Sequence, residues 1–261
     1  MSRHPLQDPL DQLPNYLTDA KRLYQIAEER IAQLTATRRE SGSTGGGQPG
    51  AVSKSLNRAV VVASVGALEA FTEDLVLSAR DCIPEADKAK AWFPIQGARG
   101  QIQTPNSGNI AKLMWVYFRY DPRPDWSFLV TTAWSELNKQ ATHWRGTTST
   151  YSKSDAGKAL DAMVKVRHGF AHQDTDNSPP ETPGIVGLTP SGKLSLQSHH
   201  AFNSMSIVAQ SAFQMTHGLS NLLGASLPQF RWIKSMNCLE DLLSGTPVVE
   251  EIKSSWSKHP F

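Results

Sequence analysis

At 261 residues, with 39% apolar and 19% charged side chains, the chain has ample material for a hydrophobic core, and its composition is not that of a disordered polyelectrolyte. A formal charge of +2 is too small for recognition of a polyanion through the overall field, so any nucleic-acid contact must come from a local cluster. The two cysteines, Cys82 and Cys238, lie far apart in unrelated contexts. That argues against a disulfide framework and a cysteine zinc site, and suits a reducing cytoplasm.

Residues 1–10 lack the apolar core of a signal peptide. The longest apolar run, 59–68, is interrupted by Ser64 and Gly66 and is too short to span a bilayer. The expectation is a cytoplasmic protein without membrane contact. Over residues 13–40, Leu17, Ala20, Leu23, Tyr24, Ala27, Ile31 and Leu34 recur at steps of three and four, which predicts a first helix. The stretch 41–50 (SGSTGGGQPG) is too rich in glycine for regular structure and joins that helix to the next. The second helix, 54–80, is the most apolar. Leu56, Val60, Ala63, Ala67, Phe71 and Leu75 form its stripe, which Val61, Val65 and Leu68 widen, as in a helix from the middle of a bundle.

Beyond Pro84 the spacing predicts short helices over 110–118, ended by Pro122 and Pro124, and over 126–138. A polar loop over 147–154 follows, then a helix N-capped by Asp155 that carries Ala159, Leu160, Met163, Val164 and Val166. After a polar, Pro-rich stretch, residues 185–188 and 193–196 flank Thr189-Pro190-Ser191-Gly192 as a β-hairpin, and 202–223 is the last long helix. The fold class is therefore all-α: an up-and-down helical bundle with a small β-hairpin insertion. Its divisions are 1–52 (N-terminal helix and connector), 53–226 (bundle) and 227–261 (a tail with no clear pattern).

Chemistry concentrates where the helix capped by Asp155 ends, at Val164-Lys165-Val166-Arg167-His168-Gly169-Phe170-Ala171-His172. Arginine offers a fixed fork of donors matched to phosphate oxygens, and histidine exchanges a proton near neutrality. Arg167 and His172 together suit phosphodiester cleavage in RNA, where the 2′-hydroxyl is the nucleophile and no metal or cofactor is needed. Five residues along a regular helix leave the pair about 140° apart. Either the helix ends or distorts at Gly169, or two subunits build the site. Thirteen arginines and eight histidines in 261 residues give about 0.4 such pairs by chance, so the spacing alone is weak. The plain alternative is a surface arginine and a histidine that caps helix carbonyls. A rival is metal binding by His168 and His172, at i and i+4, with Asp174 or Asp176.

The segment from Val166 to His172 resembles the R-x4-6-H signature of HEPN domains. Upstream, Ser64-Val65-Gly66-Ala67-Leu68-Glu69-Ala70-Phe71-Thr72-Glu73-Asp74-Leu75 is similar to the early helix of the RiboL-PSP-type members. Asn106-Ser107-Gly108-Asn109-Ile110 and Trp126 stand where that subgroup has an Asn-containing segment and an aromatic. The resemblance spans about residues 54–223 and implies a helical bundle, frequent homodimerisation with facing motifs, and metal-independent endoribonuclease activity in toxin–antitoxin or antiviral-defence systems. Carried over, Arg167 would bind and stabilise the scissile phosphate, and His172 would act as general acid or base or as a phosphate-positioning donor. His168 stands where the family often has Asn, and is an accessory candidate. Glu69 and Glu73 would orient Arg167 if their helix packs beside the motif, or else belong to a solvated helix face.

Between Arg145 and His172 there are five Lys or Arg (Arg145, Lys153, Lys158, Lys165, Arg167) against Asp155 and Asp161, a weak basic surplus for an RNA-facing surface. The tryptophans are candidate base-stacking platforms or, more plainly, core. Expected partners are RNA, a second copy, and an antitoxin or sensor subunit, because a free ribonuclease endangers its host. The alternative function is a non-catalytic HEPN scaffold for dimerisation or partner binding.

Overall fold

The computed structural model describes residues 6–42, 51–83, 96–97, 100–101, 104–133, 146–172, 179–189 and 191–224. The expected second and last helices are present as α3 (Ala51–Arg80) and α6 (Ser198–Leu222). These two pack on each other at the centre of the fold. Val60, Val65, Leu68, Phe71 and Leu75 on α3 and Ile207, Val208, Ala212 and Met215 on α6 are all fully buried. Each large side chain among them contributes roughly 1.5–3 kcal/mol by leaving water. Leu56, assigned to the α3 stripe by its spacing, is only half-buried, and Ser53 and Asn57 take the buried positions on that turn. Along α6 nearly every position is buried, including polar ones, so that helix is more central than its sequence suggests.

The first helix begins earlier than its periodicity indicates. α1 (Gln7–Tyr16) precedes α2 (Thr18–Glu40), and the hydrogen bonds Leu17 N–H to Leu13 O (3.1 Å) and Lys21 N–H to Leu17 O (2.9 Å) carry the helical path across the junction. Pro9 lies in the first turn, where its missing N–H costs nothing, and Pro14 is accommodated inside the helix. Leu6, Leu10, Leu13, Leu17 and Ala20 join the core that α3 and α6 build.

α4 (Ser107–Phe118) opens three residues before its expected start. The prolines do not end it. Arg119, in the left-handed region (φ 57°), turns the chain, and its N–H bonds back to Trp115 O at 3.0 Å. A 3₁₀ turn (Arg123–Asp125) follows.

The expected helix over 126–138 is wrong where the structure describes it. Ser127–Ala133 is a strand, β3, paired antiparallel with β4 (Gly146–Ser152), which replaces the expected polar loop over 147–154. Its register sets Phe128 opposite Tyr151 and Val130 opposite Ser149. The fold is thus mainly helical rather than all-α, and antiparallel strand pairs accompany the helices. A two-residue pair, β1 (Gln96–Gly97) with β2 (Gly100–Gln101), is one more of these.

In an antiparallel pair alternate residues turn N–H and C=O away from the partner strand. Along β3 these residues are Ser127, Leu129 and Thr131, and carboxamides of α6 meet all three. Gln214 Oε1 accepts from Ser127 N–H (2.8 Å) and its Nε2 donates to Ser127 O (2.7 Å). Gln210 does the same at Leu129 (2.8 and 2.9 Å), and Asn203 at Thr131 (3.1 and 2.6 Å). A strand edge that would otherwise template another chain is closed by a helix.

α5 (Ser154–His172) starts one residue before the expected cap, after Lys153 at φ 53°. Asp155 lies in its first turn and bonds Lys158 (2.7 Å) on the exposed surface. The hairpin expected over 185–196 is present as β5 (Gly187–Leu188) and β6 (Leu194–Ser195), with Gly192 at φ 75° in its turn. Before it, Thr182-Pro183-Gly184-Ile185 forms a turn closed by Ile185 N–H to Thr182 O (2.9 Å). Gly184 there has φ 75°, and a Cβ would lie 2.8 Å from Thr131 O, so conformation and space both require glycine. No described helix is long and apolar enough to cross a membrane.

Candidate functional site

α5 is held to the rest of the fold at two levels, and the upper one holds Arg167. Lower down, Asp161 accepts from Ser107 N–H (2.7 Å) and from Ser107 Oγ (2.8 Å). It thereby satisfies a donor at the N-terminus of α4, where a negative charge also complements the helix dipole. Asn106 caps the same helix by accepting from Asn109 N–H (2.7 Å), and Asn109 Nδ2 donates to Thr104 O (2.9 Å). The Asn-containing segment singled out in the sequence is therefore engaged in capping. In the sequence Asp161 is only a charge opposing the basic surplus. Its partner lies 54 residues away, and no local pattern announces it.

Six residues further along α5, Arg167 Nη1 donates to Glu69 Oε2 of α3 at 2.6 Å. Both side chains are partly covered, at 33% and 21% exposure. Partial exposure and a single bonded corner limit the pair to about 1 kcal/mol of net stabilisation. Its effect is rather to fix where the guanidinium points. Of the five N–H donors in that fork, the bond to Glu69 commits one, and no other described residue bonds Arg167. Glu69 is accordingly a half-buried partner of the motif arginine, and the solvated-face alternative does not describe it.

Glu73, one turn along α3, is also half-buried. Burial holds its carboxyl above the usual range, and the charges of Glu69 and Asp74 push it the same way. Asp74 accepts from the Tyr16 hydroxyl of α1. The phenol is pushed up to about 12 by burial first, then by its hydrogen bond to Asp74 and the charge there. A line of acidic side chains on α3 thus faces α5 through Glu69 and α1 through Asp74.

His168 is exposed beside Arg167. The helix runs through Gly169 to His172 without ending or breaking. That removes one of the two ways of bringing Arg167 and His172 together. On this continuous helix their positions stay about 140° apart, so one copy of α5 does not aim both at one point. The side chain of His172 lies outside the described residues, as do Asp174 and Asp176 of the metal alternative. Among the described residues no group of three His, Cys, Asp or Glu could hold a metal ion.

Trp126 is core, 1% exposed and packed on Phe128 with ring centroids 5.9 Å apart, so it offers no face to a base. Trp115 on α4 is 52% exposed. Trp92, Trp134, Trp144, Trp232 and Trp256 lie outside the described residues, as does Arg145 of the basic surplus. Lys153 and Lys165 stand exposed, while Lys158 is neutralised by Asp155. Comparison of the chain with family models, with curated proteins and with solved structures gives no match.

Proposed function

We propose that the chain is a metal-independent endoribonuclease of the HEPN type, acting in the cytoplasm as a toxin or antiviral effector. Its fold on this reading is the up-and-down HEPN bundle, elaborated by the strand pairs. The observation that carries the reading is Arg167 itself: a guanidinium at the C-terminal end of α5, tethered at one corner by Glu69 and partly exposed, with the rest of its fork uncommitted among the described residues. Such a group is oriented in advance for a phosphate, which lowers the reorganisation needed as charge builds on the phosphorane.

Cleavage proceeds by attack of the 2′-oxygen on phosphorus. The 2′-proton passes to a base, the P–O5′ bond breaks, and the leaving 5′-oxygen receives a proton. A 2′,3′-cyclic phosphate and a 5′-hydroxyl remain. Arg167 neutralises the pentacoordinate oxygens, His172 handles a proton, and His168 supplies a further donor at the exposed surface. The continuous helix favours the two-subunit arrangement, in which the facing copies of α5 in a homodimer complete each other's sites. Control falls to an antitoxin or sensor subunit.

The test is incubation of the purified protein with mixed cellular RNA in EDTA. Wild type should give cyclic-phosphate or 3′-phosphate ends, and Arg167→Ala and His172→Ala should each abolish cleavage while keeping a cooperative unfolding transition. Equal cleavage of DNA would remove the 2′-hydroxyl mechanism. The Arg167–Glu69 pair also favours a second reading, a non-catalytic HEPN scaffold in which it only fastens α5 to α3. Under that reading neither RNA nor the alanine variants give a signal, and partner capture is unchanged by them.

A further inference from the structure

The sequence treats Glu69 as a possible aid to Arg167, but the geometry makes it also a rival of the substrate. A guanidinium carries one positive charge, and here a carboxylate compensates it at 2.6 Å. The carboxylates nearby on α3 are Glu73 and Asp74, and they add negative charge rather than relieve it. A phosphate on the edge of the Arg167 fork that no described residue bonds would therefore stand within a few ångströms of Glu69, beside a cation that is already neutralised. Like charges at that separation disfavour each other's ionised forms strongly.

We infer that Glu69 is an internal counter-anion with two opposed effects: its hydrogen bond holds Arg167 in place, and its charge weakens the grip of the rest of the fork on an RNA phosphate. The inference rests on the ribonuclease reading of Arg167 and deepens it. Glu69 is then a built-in brake on binding of phosphate, placed on a different helix from the motif. The partial exposure of both side chains gives the phosphate access to the pair. The arrangement also separates two roles of one side chain. The carboxylate oxygen orients Arg167 through a hydrogen bond, and its charge opposes the ligand. Glu69→Gln keeps an oxygen acceptor and removes the charge.

The experiment compares wild type, Glu69→Gln and Arg167→Ala for binding of a short RNA whose riboses are all 2′-O-methylated, so that no cleavage intervenes. Glu69→Gln should bind on the order of tenfold more tightly than wild type at low salt, and Arg167→Ala should lose binding. Should Glu69→Gln fail to fold, Glu69→Ala takes its place, with binding tighter than wild type again expected. Equal or weaker binding by a folded Glu69 variant, with binding lost in Arg167→Ala, overturns the brake and leaves Glu69 a positioning residue. The ribonuclease reading then still stands on cleavage of unmodified RNA by wild type and its loss in Arg167→Ala. Unchanged binding by Arg167→Ala overturns the brake and the role of Arg167 together.

Discussion

Replacing Gln210 by alanine should be among the most damaging single changes to a polar residue in this fold. Gln210 is 3% exposed and serves both backbone groups of Leu129, accepting from its N–H at 2.8 Å and donating to its C=O at 2.9 Å. A buried backbone group left without a partner costs roughly 1–3 kcal/mol, and truncation orphans two of them. Leu129 is half-buried, so water recovers part of the loss. The expected total is about 2–4 kcal/mol. Gln214 provides the control, because it makes the same pair of bonds to Ser127 at an exposed position (2.8 and 2.7 Å). Solvent replaces its carboxamide there, and Gln214→Ala should cost less than about 1 kcal/mol. Urea unfolding reads both values as shifts in midpoint at constant slope. Equal losses in the two variants, or a loss under about 1 kcal/mol for Gln210→Ala, would refute the claim that closing the β3 edge depends on burial.

A Cβ added at Gly218 of α6 would occupy the space of the Tyr120 hydroxyl and lie 2.7 Å from Asp125 Oδ2. Gly218→Ala should therefore destabilise by about 1–3 kcal/mol, seen in the same unfolding assay, and should break the 2.6 Å hydrogen bond from Tyr120 to Asp125. Tyr16 gives a pH signature. Its proton is held more tightly in the fold, up to about 12, than in the unfolded chain. Stability from this group is complete below pH 10 and is lost as pH rises from 10 towards 12. Melting temperatures followed across that range should fall more steeply for wild type than for Tyr16→Phe, and parallel curves would disprove the linkage.

The parts of the fold that were legible in the sequence are those in which one element carries its own signal. The α3 stripe announces burial by periodicity, and Thr189-Pro190-Ser191-Gly192 announces a turn by the conformations its residues permit. The misread segment, 126–133, shows why others are not. Trp126, Leu129, Val130 and Ala133 sit at helical steps, while the alternation of Phe128 and Val130 and the β-branched Val130, Thr131 and Thr132 favour a strand. The strand prevails because β4 takes one edge and the α6 carboxamides the other, partners that lie up to 87 residues away in the sequence. The same distance problem governs the site. Arg167 and His172 are visible as a pair because they share a helix, and the suggestion that Glu69 orients Arg167 was available from its type and place. That Glu69 and not Glu73 makes the bond depends on how α3 and α5 lie against each other over 98 residues of separation. Asp161 had no signal at all, because an acidic residue in mid-helix normally means solvent.

The carboxamide ladder also limits how this chain can change in length. Asn203, Gln210 and Gln214 address Thr131, Leu129 and Ser127 in reverse order. One residue inserted between positions 203 and 214 would turn the following carboxamides by about 100° around the helix axis, away from the strand. A deletion inside 127–131 would swap which backbone groups face them. Any related chain that keeps this fold should therefore show no gaps in those two segments, and its insertions should gather in the connections between elements.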